Sequence, residues 1–444
     1  MANKDVPKDM YFLVKIIFFI LGLGTLLPWN FFITAFEYFQ FRLDTGNTTE
    51  SSPDGNGTRV QKDEFNFNNW MTLLAQLPLL LFTLLNSFLY QWISDRTRIV
   101  GSLVGILTLF IFTAVLVKAE MSPQTFFSIT MVTIWLINSF GAVLQGSLFG
   151  LLGLLPHNYS SLFLSGQGMA GTFAAVAMLL SLASGADKRT SALGYFITPC
   201  VGTFISILCY LALPHLEFAR FYLNRSSAQS YELETRAELL LPDEKNGMPN
   251  GILDSKEESR PVKEPRKASV FTVMRKIWLL ALCIVLTFTA TLSMFPAITA
   301  SVRSDTGEQR WNDFFSPVCC FLIFSVLDWL GRSTTTYILC PGKDSKLLLP
   351  LLVSLRFVFV PLFMLCKIPD RHYLPVVFKQ DIWFIIFMTI FSFSNGYFVS
   401  LTMCLAPKNV LPHESKTTGV LMTFFLALGL SCGAGLSFLF KSLL

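Results

Sequence analysis

Apolar and polar positions alternate along this chain in blocks of about twenty residues, the length of helix needed to cross the hydrocarbon of a bilayer at roughly 1.5 Å per residue. Roughly eleven apolar segments reach that length, near 12–33, 70–91, 99–118, 126–150, 161–185, 193–213, 277–299, 313–338, 348–366, 382–405 and 418–440. The first follows Met1 to Lys8 and lacks a cleavage site of small residues, so it reads as a retained anchor. Two long polar stretches break the series, 34–69 and 215–276, and the second divides six segments from five. The pattern predicts an all-α membrane protein of eleven transmembrane helices. Its N-terminal six-helix bundle would occupy 1–214, and its C-terminal five-helix bundle 277–444. The stretch between them is too polar to offset the entropy of ordering it, and is expected to be a disordered linker.

Composition agrees with lipid as the solvent. The chain has 444 residues, 52% hydrophobic and 14% charged, with a mean hydropathy of +0.55, which is more apolar surface than a soluble core could hide. The net charge of +5 belongs mostly to loops and implies no nucleic-acid partner. Arg and Lys crowd the 215–276 stretch and place it in the cytoplasm. The first loop carries Asn47-Thr48-Thr49 and Asn56-Gly57-Thr58, which makes Asn47 and Asn56 candidate extracellular glycosylation sites. Together they predict a multi-pass protein of the plasma membrane with its N-terminus inside and Leu444 outside. Nine cysteines and four histidines show no metal-ligand spacing, so reduced structural thiols and no metal or cofactor are expected. Arg266-Lys267-Ala268-Ser269 is either a basophilic kinase site at Ser269 or a basic flank of the seventh span.

The two halves echo each other. The first span of each carries a Thr and then a Pro near its outer end, Thr25 and Pro28 against Thr291 and Pro296. The fourth carries an amide beside a glycine, Gln145-Gly146 against Asn395-Gly396. A duplicated bundle with a midplane site between its halves leaves such a trace, and so does chance.

Polar groups inside the spans carry the candidate chemistry. Ionisable side chains there cost about 2.5 to 3.5 kcal/mol each on insertion scales and need a partner or a task. Asp328 and Arg332 stand four apart, on one helix face, and can neutralise each other. They either lock helices together or offer an acceptor and donors to the hydroxyls of a neutral polyol such as ribose. Arg356 has no partner in its own segment and reads as a gating or packing ion pair before a cargo contact. Gln145 can donate and accept, as a purine or pyrimidine edge requires, or can serve as hydrogen-bond glue between helices. Trp29, Phe295 and Phe321 offer faces for a flat base, although Trp29 also fits an interfacial belt. Gly166 and Gly171 belong to a small-residue face suited to close helix packing.

The chain has no GxxxxGK[ST], HExxH or GxSxG motif, so neither ATP-driven pumping nor hydrolysis has support and no enzyme is expected. With Asp328 held ionised by Arg332, no free carboxylate is left to relay a proton, which favours passive transport. The rival readings are a proton-coupled carrier of another small polar solute and a membrane receptor or scaffold that transports nothing. A channel is the poorest fit, for want of a charged ring or filter repeat.

Pro28-Trp29-Asn30, Leu144-Gln145-Gly146-Ser147, Ser165-Gly166-Gln167-Gly168, Asp328-Trp329-Leu330-Gly331-Arg332 and Ser394-Asn395-Gly396-Tyr397 occur in that order, and the chain resembles the equilibrative nucleoside transporters through nearly all its spans. Phe65 to Asn69 and the tail Leu428 to Ala434 look most like the second vertebrate branch of that family, which accepts nucleobases too. The resemblance implies a major-facilitator-like bundle of eleven helices that moves nucleosides and nucleobases by alternating access without an ion gradient. It implies that Gln145 addresses the base and that Asp328 and Arg332 meet the ribose. It also implies that Leu26, Trp29, Gln76, Phe295, Phe321 and Leu430 line the cavity. Gln76 stands where another branch has a thioether, and Ser325 replaces an asparagine usual in the family.

Overall fold

The computed structural model describes residues 7–43, 67–90, 92–184, 188–223, 269–306, 309–342, 347–369 and 373–444. Asn47, Asn56 and most of the 215–276 linker lie outside the described residues. The helices are α1 (Leu13–Thr34), α2 (Phe36–Leu43), α3 (Phe67–Leu89), α4 (Asp95–Lys118), α5 (Pro123–Leu152), α6 (His157–Ser184) and α7 (Lys188–Ala212). They continue with α8 (Val270–Met294), α9 (Gln309–Phe315), α10 (Ile323–Thr334), α11 (Leu348–Leu355), α12 (Phe359–Met364), α13 (Asp381–Leu405) and α14 (Ser415–Ser442). Among the described residues β pairing is limited to one bridge, Cys366 to Phe378.

Among the described residues nine helical stretches are long and apolar enough to cross a membrane. Two further spans expected from the sequence coincide with shorter apolar helices, Leu73–Leu89 and Leu348–Met364. Large apolar side chains such as Leu180, Phe204, Trp278 and Leu351 face outward, a costly arrangement in water and the natural one in lipid. Where helices begin at loops, sequence chemistry sets the start. Ser94 and Ser122 accept from the backbone N–H of Thr97 and Thr125, so each satisfies a donor that the first turn leaves unpaired.

Two expected spans are not continuous α-helices. The segment read as 313–338 contains a π-helical turn, Ser316–Leu322, between α9 and α10, where Pro317 can donate no backbone hydrogen bond. The segment read as 348–366 passes through a 3-10 turn, Arg356–Val358, between α11 and α12. Pro361 cannot donate to the carbonyl of Phe357 one turn back, which loosens the helix at that point. The first break places Phe321 and the second Arg356.

In the first part of the chain α1 packs on α6 and α7, α4 on α5 and α7, and α3 on α5. In the second, α8 packs on α14, α13 and α11, and α10 on α13. Two seams join these groups, α6 against α10 and α14 against α3 and α5. Glycines set the closest approaches: a Cβ at Gly22 or Gly166 would overlap backbone across the α1–α6 contact, and one at Gly419 would overlap the carbonyl of Phe149 across the α5–α14 seam.

Candidate functional site

Asp328 and Arg332 share one face of α10, and that face is brought to the α6 seam and to α13 by small residues. A Cβ on Gly168 of α6 would come within 2.8 Å of the Trp329 Cα and 3.1 Å of the Arg332 Cδ. On the other side Gly331 and Gly396 let α10 and α13 touch backbone to backbone, Gly331 against the carbonyl of Phe393 and Gly396 against that of Asp328. Arg332 Nε donates to Asp328 Oδ2 at 2.7 Å. The two residues are only 6% and 7% exposed, so this ion pair sits in a low dielectric where its partners matter. Among the described residues the terminal nitrogens of Arg332 make no further protein hydrogen bond, so the guanidinium keeps donors beyond those that Asp328 occupies.

The neighbours of Asp328 extend the cluster into three other elements. Asn395 of α13 donates from Nδ2 to Asp328 Oδ1 at 2.6 Å, and Thr291 of α8 donates to Asn395 Oδ1 at 2.7 Å. Arg356 reaches the same cluster from the 3-10 turn. It donates to the Thr287 carbonyl at 2.9 Å, the Thr291 hydroxyl at 3.0 Å, the Ser394 hydroxyl at 3.1 Å and the Phe391 carbonyl at 3.2 Å, with its guanidinium over the Phe391 ring. The ion pair expected for Arg356 is not formed as a direct contact among the described residues. Carbonyls and hydroxyls of α8 and α13 solvate the charge instead, because no acidic side chain of those helices faces it. Sequence reasoning noticed Thr291 and Asn395 as half of an internal echo and gave them no role.

Gln145 lies about two turns from the end of α5, and Asp328 about two turns from the end of α10, at the same end of the bundle. The Gln145 side chain is buried and makes no protein hydrogen bond among the described residues. Gln76 on α3 is half-buried, with an enclosed Oε1 that has no hydrogen-bond partner among the described residues. The aromatic candidates are already paired. Phe295 stacks on Phe324 at 3.8 Å between centroids and meets Phe321 edge-on at 5.7 Å, so one face of Phe295 is covered by a residue the sequence did not single out. Trp29 lies parallel to Phe32 at 6.2 Å, and Leu26 borders the small cluster of Leu27, Phe31, Ala170 and Ala174. Leu430 follows Gly429, whose carbonyl accepts from Thr289 of α8. Gly166 is a tight packing position against Phe19 and Leu23, whereas Gly171 is not: a Cβ there would rest at 3.5 Å from Ser325 Oγ and 3.7 Å from Asn30, ordinary contact. Ser325 itself lends its carbonyl to the Thr172 hydroxyl across the α6–α10 seam. Ser269 is exposed at the start of α8, with no capping bond from its hydroxyl.

Polar links across the two seams gather toward one end of the bundle. Ser161 and Ser165 of α6 hydrogen bond to Thr335, Thr336 and Ser333 around the end of α10, and Trp329 donates to Ser165. At the other seam Tyr90 meets Thr417, and Lys416 donates to Asp95 at 2.6 Å. The molecule is thus fastened at the end where α3, α5, α10 and α13 finish.

The family model described as nucleoside transporter matches residues 129–442. The chain is 64% identical to human equilibrative nucleoside transporter 2 over 459 residues and 49% identical to human equilibrative nucleoside transporter 1 over 460, each alignment covering 100% of both chains. Among solved structures it resembles the major facilitator superfamily proton:xylose symporter XylE, with a TM-score of 0.59 at 11% identity over 97% of this chain and 88% of that one. It also resembles the human organic anion transporter MFSD10, with a TM-score of 0.54 at 12% identity over 97% and 94%. At such identities the likeness is one of fold, that of a major-facilitator-like helical bundle.

Proposed function

The chain belongs to the nucleoside transporter family and is a facilitative carrier rather than an enzyme, and from that premise we propose how its residues divide a nucleoside between them. Gln145 exchanges hydrogen bonds with the edge of the base, Asp328 accepts from the sugar hydroxyls, and the free nitrogens of Arg332 donate to them. Leu26, Trp29, Phe295, Phe321 and Leu430 supply the apolar walls, with Gln76 a further polar contact. Nucleobases use the Gln145 side of the site alone. The observation that carries this reading is the buried Asp328–Arg332 pair at the α6–α10 seam, whose guanidinium keeps unengaged donors.

A site between two seams fastened at one end suits a carrier of two bundles, 1–214 and 277–444, that rock about the cargo. The basic linker and the acceptor triplets at Asn47 and Asn56 favour a cytoplasmic N-terminus in a plasma membrane, which makes the fastened end the cytoplasmic one. No step ties cargo to an ion, so flux follows the cargo gradient in either direction and saturates.

The test is uptake of labelled uridine and hypoxanthine into proteoliposomes that hold the purified protein alone. The expected result is saturable entry that stops at equal concentrations, accelerates when unlabelled uridine is loaded inside, and ignores imposed sodium or proton gradients. Accumulation above equality under a proton gradient would establish the coupled carrier instead. Absence of saturable flux would establish a receptor or scaffold.

A further inference from the structure

The Asp328 carboxylate is gripped at both oxygens, and the two grips differ in kind. Arg332 at Oδ2 is a neighbour on the same helix, free to follow a sugar that it also touches. Asn395 at Oδ1 comes from α13 and is itself held. Its amide oxygen accepts from the Thr291 hydroxyl at 2.7 Å, and that hydroxyl accepts from Arg356 Nη2 at 3.0 Å. The direction of this chain is fixed by its ends, because a guanidinium can only donate and a carboxylate can only accept. Thr291 Oγ1 also lies 2.8 Å from the Thr287 carbonyl, but with the Asn395 amide nitrogen turned to the carboxylate its Oδ1 can only accept, and at 2.7 Å from Thr291 Oγ1 it takes the hydroxyl proton. Asn395 is thereby oriented with its N–H toward the carboxylate. Arg356, Thr291 and Asn395 are each at most 2% exposed, so water cannot substitute for any link.

We propose that Asn395 is a positioning residue for sugar recognition: clamped by Thr291, and through it by Arg356, it fixes the rotation of the Asp328 carboxylate so that its remaining lone pairs meet the sugar hydroxyls. The proposal rests on the reading that Asp328 and Arg332 contact the sugar. It adds that α8, the Arg356 turn and α13 set the discrimination for ribose without touching the cargo. Arg356 acquires a task as well. Its charge is kept in the interior without a direct acidic partner among the described residues, and the chain that it polarises ends on the Asp328 carboxylate.

The test compares inosine with 2′,3′-dideoxyinosine, which has the same base and ring and lacks two hydroxyls, as substrates of purified protein in proteoliposomes. Thr291→Val keeps volume and removes the hydroxyl, Thr291→Ser restores it, Asn395→Leu removes the amide, and Asp328→Asn serves as reference. Loss of one charge-assisted hydrogen bond predicts an inosine KM raised about fivefold in Thr291→Val and about tenfold in Asn395→Leu, with the dideoxyinosine KM within about twofold of the wild type. Thr291→Ser is expected to transport both like the wild type. An equal change for the two substrates, or none, in Thr291→Val overturns the proposal even where Asn395→Leu does not fold. A split in Asp328→Asn with none in Thr291→Val removes the positioning role alone. No split in Asp328→Asn removes the sugar reading and this proposal with it.

Discussion

Gln145 and Asp328 each present a short polar arm where an unmatched hydrogen bond costs its full desolvation. For Gln145 reach is therefore as important as chemistry. Gln145→Asn keeps the amide and withdraws it by one methylene, too far for a base edge held between apolar walls. The half-saturation concentrations for uridine and for hypoxanthine should both rise roughly tenfold, with surface abundance unchanged by biotinylation, since among the described residues the side chain supports no neighbouring helix through a hydrogen bond. Equal affinity in the variant would remove Gln145 from the site. The shared effect on base and nucleoside also separates this residue from Asn395, whose loss is expected to spare ligands without hydroxyls. The ion pair was legible in the sequence because two opposite charges four apart in an apolar run can hardly persist there except as partners. The role of Asn395 was not. A neutral amide in a span has many uses, and its partners stand 67 and 104 positions away at Asp328 and Thr291.

Helix packing decides whether those distant partners meet at all. The Asn395 amide reaches Asp328 because Gly331 and Gly396 bring α10 and α13 into backbone contact, and any side chain there would push the helices apart. Gly396→Ala should lower the melting temperature of the purified protein in detergent by several degrees, the expected size of about 1–3 kcal/mol of overpacking. It should also weaken inosine more than dideoxyinosine. Gly435→Ala, whose Cβ would meet nothing within 4 Å, is the control and should melt like the wild type. Comparable melting of the two variants would show that α10 and α13 can separate at no cost. The sequence marked glycines 166 to 171 as a packing face, and the tight contacts prove to be Gly166 and Gly168, with Gly171 loose. Spacing tells which residues share a face of a helix, and the rotation of the neighbouring helix tells which of them is crowded. The long apolar helices, nine among the described residues, could be read directly because lipid demands continuous apolar length. The π and 3-10 turns at Phe321 and Arg356 could not be read, because they arise from how Pro317 and Pro361 are accommodated among neighbours.

At the scale of the whole molecule, transport requires that the fastened end open while the other closes, so the polar links across the two seams must be weak enough to exchange. The Lys416–Asp95 pair is suited to that. The side chains are 30% and 23% exposed, Asp95 also serves Arg98, and a rim pair of this kind contributes about 0.2 to 1 kcal/mol. Removing it should therefore shift the balance between the two states without unfolding either. In Lys416→Met, a cysteine placed at Ser165, which is buried at the α6–α10 seam, should be labelled roughly two- to fivefold faster by an impermeant maleimide applied from the Lys416 side. Raising the salt concentration in the otherwise wild-type background should move its labelling rate toward that of the variant, because a partly exposed pair is screened more than a buried one. Equal rates in the two backgrounds at low salt would mean that the serine and threonine contacts of the α6–α10 seam hold this end shut by themselves, and that the charged residues at the other seam have no share in gating.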